Sequence, residues 1–268
     1  MAATIITITS GKGGVGKTTT TANIGAGLAL LGKRVVVVDT DIGLRNLDVV
    51  LGLESRIVYD LVAVVEGRCR VRQALIKDKR LAELYLLPAA QTREKSAVSP
   101  QDMLRLCEEL RQDFDFILID SPAGIEHGFK TALAPADEII VVTTPEVSAV
   151  RDADRVIGII EQAKKPIPRL IINRIRLDMV RRKDMMDTPD VLEVLGIALL
   201  GVVPEDESVI VTTNRGEPAV LAPKSQAGRA FQNIARRLVG ENVPYLVTAG
   251  PPGLLDRLAR WMRPPETG

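Results

Sequence analysis

Residues 11–19, Gly-Lys-Gly-Gly-Val-Gly-Lys-Thr-Thr, constrain this chain more than any other stretch. They contain the pattern G-x-x-x-x-G-K-T, with an additional lysine, Lys12, at its second position. Residues 4–9 ahead of it are almost all β-branched and carry no charge, which predicts a buried strand. Residues 18–31 behind it are rich in Ala, Thr and Leu, lack proline and run into Gly32, which predicts a helix with a glycine stop. Strand, glycine loop and helix in that order give a phosphate-binding loop its meaning. Gly11, Gly13, Gly14 and Gly16, with Val15 among them, let the backbone turn tightly so that its amides and the helix N-terminus face an anion. Lys17 is expected at the β- and γ-phosphates, the Thr18 hydroxyl on Mg²⁺, and Thr19 beside it. The plainer alternative is a glycine-rich turn without a ligand. Four glycines, two lysines and two threonines in this setting weigh against it, and the expected cofactors are ATP and Mg.

The rest of the chain alternates. Strands are expected at 35–38, 84–87, 116–119, 139–142, 170–172 and 198–203, and helices at 58–66, 100–111, 146–163, 187–195 and 225–239. This predicts an α/β fold: one doubly wound, mostly parallel sheet with helices on both faces. With 268 residues, 46% of them hydrophobic, the chain can bury a sizeable core. The expected division is an ATPase domain at 1–240, a linker at 241–253 and an amphipathic helix at 254–263. A net charge of +1 gives no global field toward nucleic acid. Cys69 and Cys107 lack metal-ligand spacing and read as free thiols, and a single histidine, His127, argues against a His triad or zinc site. The first residues lead straight into a strand, so no signal peptide is expected.

Each chemical motif falls at the end of an expected strand, where open α/β sheets bind ligands. The run 35–38 leads into Asp39 and Asp41, two carboxylates suited to Mg²⁺ and to positioning a water, or else a solvated acidic loop. The run 116–119 leads into Asp120, the Walker-B position for holding Mg²⁺ directly or through water, or else a helix cap. Gly124 follows and gives that loop freedom to move. Asn173 ends another strand and could pair with a purine edge, with Arg174 covering the base. Pro204, Glu205 and Asp206 end the last strand, where backbone amides could reach the base. An Asn in a turn needs no ligand, so these last positions carry less on their own.

Together the residues resemble the MinD/ParA family of deviant Walker-A ATPases. Gly-Lys-Gly-Gly-Val-Gly-Lys-Thr-Thr is similar to its phosphate loop. Asp-Thr-Asp-Ile-Gly-Leu-Arg-Asn-Leu-Asp at 39–48 resembles the first switch of its MinD branch, and Asp-Ser-Pro-Ala-Gly-Ile-Glu at 120–126 and Pro-Glu-Asp at 204–206 resemble that branch too. The resemblance covers the whole chain. It implies that Lys12 reaches across a face-to-face homodimer to the other subunit's phosphates and that Asp41 orients the attacking water. It implies further that Thr18 ligates Mg²⁺, with Asp39 and Asp120 behind it through water. A lysine supplied across an interface makes hydrolysis depend on dimerisation. The implied partners are a MinC-like division inhibitor and a MinE-like ATPase stimulator, docking near the dimer interface. The helix at 146–163, with Arg151 and Asp152, is a candidate surface. A nitrogenase-type iron protein is disfavoured, because neither cysteine lies beside a switch glycine. A ParA-like DNA-partition ATPase stays open, with Arg181, Arg182 and Lys183 as a candidate patch or a merely solvated loop. A flagellar-number regulator of the same family should carry an N-terminal extension, which this chain does not show ahead of its first strand.

The tail separates these readings. After Gly-Pro-Pro-Gly at 250–253, apolar Leu254, Leu255, Leu258, Trp261 and Met262 share one helical arc, with Arg257, Arg260 and Arg263 on the other side. This is the pattern of a helix lying in an anionic membrane surface, although such a face could also pack on its own domain. Five partly buried apolar side chains return on the order of 5 kcal/mol, so one tail binds weakly. Two on a dimer gain roughly 10²–10⁴-fold through effective concentration. The expected location is the cytoplasm and, depending on nucleotide, the cytoplasmic face of the inner membrane.

Overall fold

The computed structural model of the protein describes residues 3–245. The expected helix at 254–263, and its eight membrane-facing residues, lie outside the described residues, as does most of the expected linker. Eight strands form one sheet: β1 (Thr4–Thr9), β2 (Val35–Asp39), β3 (Ile76–Lys77), β4 (Leu84–Leu87), β5 (Phe116–Asp120), β6 (Glu138–Thr143), β7 (Arg169–Ile175) and β8 (Leu199–Pro204). Their order is β3-β4-β2-β5-β1-β6-β7-β8, and all neighbours are parallel except β3 against β4. The central strands read as continuous apolar runs because both faces are covered: every residue of β2 and β5 is buried.

The helices are α1 (Lys17–Leu30), α2 (Leu47–Leu51), α3 (Leu61–Val65), α4 (Val71–Ala74), α5 (Pro100–Leu110), α6 (His127–Leu133), α7 (Val147–Gln162), α8 (Leu177–Arg181), α9 (Thr188–Leu195), α10 (Glu207–Asn214) and α11 (Gln226–Leu238). The long ones stand where the apolar periodicity placed them, and α5, α9 and α11 start at side-chain caps. Ser99 and Asp187 each form reciprocal capping boxes, with Asp102 and Asp190 respectively. The expected helix at 58–66 starts later, at Leu61, because Asp60 accepts the Ala63 amide at 2.8 Å and fixes the N-cap there. The short helices α2, α4, α6, α8 and α10 and the two-residue β3 were not expected. Each is too short to show a period, and α10 is rich in β-branched residues that read as extended.

One core layer lies between the sheet and α1 and α11, the other between the opposite face and α3, α5, α7 and α9. β1 sits between β5 and β6, so the chain leaves it at the point where strand order reverses, and the loop at 10–16 opens there.

α11 is set by close packing at its start. A methyl group on Gly228 would lie 2.2 Å from the Ala219 carbonyl oxygen, and the Gly228 amide donates to the Ser225 hydroxyl at 2.8 Å. Gly228→Ala must therefore move backbone. We expect it to cost about 1–3 kcal/mol, read as a lower urea midpoint with an unchanged slope.

Candidate active site

The loop at 10–16 wraps ahead of α1. Gly14 and Gly16 adopt φ of 81° and 90°, the left-handed region that only glycine enters cheaply. Gly11 is required for a different reason: a Cβ there would sit 2.1 Å from the Asp152 carbonyl oxygen, so the loop lies directly on the backbone of α7.

Asp120 gathers the first turn of α1. Its Oδ1 accepts from Lys17 Nζ at 3.2 Å and from the Thr21 hydroxyl at 3.0 Å, and its Oδ2 accepts from the Thr18 hydroxyl at 2.7 Å. Lys17, Asp39 and Asp120 are all buried. Asp39 pairs in register with Asp120 on the adjacent strand. Burial, with the charge of Asp120 second, raises the Asp39 carboxyl to about 7, against hydrogen bonds from the amides of Asp41 and Leu47. Two buried carboxylates thus adjoin, and the one ammonium pairs with Asp120. That surplus negative charge beside a threonine hydroxyl fits a divalent cation that also takes phosphate oxygens. Among the described residues no group of three or more His, Cys, Asp or Glu could hold a metal alone. A cation here would therefore rely on Thr18 and phosphate, with Asp39 and Asp120 behind.

Asp39 also shapes the first switch. Its oxygens accept the amides of Asp41 at 2.9 Å and of Asn46 and Leu47 at 3.2 Å, folding residues 41–47 back over the strand end. The loop places Asp41, half-buried, on the same edge of the sheet as Asp120. Thr40 donates to the Asp120 carbonyl oxygen at 2.6 Å and ties the two switch strands together.

Lys12 is exposed, outside this cluster, and its Nζ lies 3.2 Å from the Ser148 hydroxyl at the start of α7. It does not reach into its own loop's lysine–carboxylate cluster.

Asn173 and Arg174, expected at the base, stand with Pro204 and Glu205 around one small cavity. The register of β7 shifts between Ile172 and Ile175, so Asn173 and Arg174 occupy a bulge within the strand, with Arg174 at φ 56°. The bulge turns Asn173 inward and Arg174 outward. The Asn173 side-chain amide donates to the Val15 carbonyl at 2.8 Å, and its oxygen accepts the Arg174 amide at 3.0 Å. Each group keeps one further hydrogen-bonding position for a base. A cavity of about 140 Å³ lies here, lined by Gly16, Thr19, Asn173, Arg174, Pro204 and Glu205 among others.

Asp206 borders that cavity, but its carboxylate works on the protein. It accepts from the amides of Ser208 and Ala227 and from the Ser225 hydroxyl, capping α10 and joining it to the start of α11. Ser148 and this double cap leave no local trace in the sequence, whereas Thr21 was discoverable, one helical turn after Lys17 on the same face.

A family model for the CobQ/CobB/MinD/ParA nucleotide binding domain matches residues 6–219. The chain belongs to this family. It is 59% identical to the septum site-determining protein MinD of Bacillus subtilis over 244 residues, covering 90% of this chain and 91% of that one. MinD in the MinC:MinD cell division protein complex of Aquifex aeolicus superimposes with a TM-score of 0.86 at 49% identity, covering 92% of this chain and all of that chain. The MinD of Pyrococcus horikoshii complexed with Mg-ADP does so at 0.81 and 33% identity, covering 89% and 96%. The family's nucleotide-binding domain thus spans the loop, both switch strands and the bulged β7 described above.

Partial burial pushes the Asp206 carboxyl up, but its hydrogen bonds from Ala227, Ser208 and Ser225 prevail and hold it at about 2, against an ordinary 3.8. A depressed carboxyl stabilises the fold above its unfolded pKa and loses that contribution as pH falls through its folded value. Asp206→Asn should therefore melt lower than the parent protein at pH 7. The gap should narrow between about pH 4 and pH 2 in thermal unfolding followed by circular dichroism.

Proposed function

We propose that this protein is an ATP-hydrolysing switch that dimerises with ATP, cycles between cytoplasm and the cytoplasmic face of the membrane, and helps to place the division septum. The observation that carries this reading is the position of Lys12. It is the second lysine of a phosphate loop, yet it stands outside the loop's buried cluster and faces solvent beside α7. A cation so placed can act on phosphates held by a second copy, where the transition state gathers negative charge.

The residues divide the work as follows. Lys17 and the loop amides bind the β- and γ-phosphates. Thr18, with Asp39 and Asp120 behind it, would hold Mg²⁺, which would supply positive charge against the phosphates. Asp41 orients the attacking water. Asn173, Arg174 and the backbone of 204–206 border the adenine. The likeness to a MinD bound to Mg-ADP supports the cofactor assignment. The likeness to MinD within a MinC:MinD complex supports a MinC-like inhibitor as partner. A MinE-like stimulator and an anionic membrane complete the cycle, the membrane being met by the amphipathic pattern at 254–263. No helix among the described residues is long and apolar enough to cross a membrane.

Two experiments test this. Lys17→Ala should lose nucleotide affinity, whereas Lys12→Ala should keep it and fail to dimerise with ATP in light scattering. Normal ATP turnover by Lys12→Ala would remove the trans role. In vesicle sedimentation, ATP should drive the protein onto anionic liposomes and ADP should not. Removing residues 254–268 should abolish binding while nucleotide affinity stays. Sedimentation that survives the deletion would remove the membrane role of the tail.

A further inference from the structure

Two short helices from opposite sides of the site end against each other. α2 hangs at its start from Asp39, which accepts the Asn46 and Leu47 amides, and it ends at Leu51. α10 starts at its Asp206 cap, lines the small cavity with Val209 and Ile210, and ends at Asn214. Gly52 follows the first helix at φ 62°, and Gly216 lies just past the second at φ 65°. A Cβ on Gly52 would lie 2.8 Å from the Gly216 carbonyl oxygen, and one on Gly216 would lie 2.5 Å from the Gly52 Cα. The two turns therefore meet backbone to backbone, with no room for a side chain at either.

Arg80 closes this junction. Its Nη1 donates to the Gly216 carbonyl at 2.7 Å, and its Nη2 donates to the Leu51 carbonyl at 2.7 Å and to Asp78 Oδ2 at 3.0 Å. Leu51 is the last residue of α2, so its carbonyl has no donor within the helix. Asp78 is buried, and its Oδ1 accepts the amides of Arg80 and Leu81 at 2.7 and 3.0 Å. The Asp78 amide in turn donates to the Leu84 carbonyl of β4 at 2.9 Å. The guanidinium is thus oriented from the edge of the sheet, and one planar fork reaches both helix ends. Arg80 itself does not line the small cavity.

We propose that Arg80 is a positioning residue that makes the first switch and the base-side helix move as one body, so that phosphate and Mg²⁺ bound on one side set the geometry of the other. This rests on the nucleotide-binding reading above and deepens it. A ligand that draws on residues 39–47 acts on the start of α2. That helix has only five residues, so its end follows its start. Arg80 and the packed glycines then pass the shift to α10. Close-packed backbone with a fixed hydrogen-bonded bridge is the kind of contact that carries such coupling. By linkage, filling the base cavity acts back on the switch with equal strength. A guanidinium that only capped two helix ends would leave the two sides independent.

Hydrogen exchange of the full-length protein, followed by mass spectrometry, reads both sides at once. Mg-tripolyphosphate supplies the phosphates without a base. In the parent protein it should slow exchange in peptides covering 41–51 and also in those covering 207–216, by roughly 5–150-fold for a coupling of ordinary strength. Arg80→Ala should keep the first protection and lose the second. Arg80→Lys keeps a charge beside Asp78 but lacks the planar fork, so it should melt close to the parent and still lose the second protection. That pairing separates positioning from a purely structural role. Mg-ADP, which fills both sides, should protect both segments in all three proteins. Protection of 207–216 by tripolyphosphate that survives in both variants would overturn the coupling. Its absence in the parent, with 41–51 protected, would do the same. Failure of Mg-ADP to protect either segment would instead sink the nucleotide-binding reading, and the coupling with it.

Discussion

The carboxylate of Asp120 is the contact on which the site depends. It ends a strand that is buried throughout, and it draws Lys17, Thr18 and Thr21 of the first turn of α1 onto the sheet. The phosphate loop is the chain between that turn and β1, so its shape follows from this anchoring. The pair is too deeply buried to be weighed as a surface salt bridge. Removing one partner of such a pair typically costs about 3–5 kcal/mol, because the other charge stays behind unpaired. Asp39 adds a second buried acid, whose proton affinity is raised first by burial and second by the charge of Asp120. The same arrangement that fixes the loop therefore also favours binding positive charge at its edge.

The two switch strands are coupled before any ligand is considered. Thr40 bonds the backbone of Asp120, and Asp39 folds residues 41–47 over the strand end. The carboxylates beside the phosphate loop thus share one strand pair. The groups that line the small cavity sit mainly on β7 and β8, on the other side of β1. Asn173 bridges the halves, because its bond to Val15 joins the bulged strand to the phosphate loop.

Much of this was legible in the sequence, for identifiable reasons. The buried parallel strands read as apolar runs, and the loop at 11–19 carries its chemistry in consecutive residues. Asp39, Asp41 and Asp120 were found because strand ends in such sheets face the ligand. What was not legible depends on distant partners. The bond from Asn173 to Val15 joins residues 158 apart, and the bulge that aims Asn173 leaves no periodic trace. The cap that Asp206 makes was hidden because its partner Ala227 lies 21 residues on, in another helix. The five short helices have too few turns to show a face. Gly11 looked like a conformational glycine, yet it is needed because α7 presses against it.

Arg237 donates to the Val243 and Pro244 carbonyls and stacks on Tyr245, whose hydroxyl donates to Leu199, so residues 243–245 are clamped to the start of β8. β8 is the last strand on its side of the sheet, and a bare edge of that kind templates pairing with another chain. Here the carbonyls of Leu199 and Leu200 are taken by the tyrosine hydroxyl and the guanidinium, and residues 243–245 lie along the edge. At the opposite edge β3 offers only two residues, running against their neighbour. Copies of this protein are therefore steered away from joining sheet to sheet.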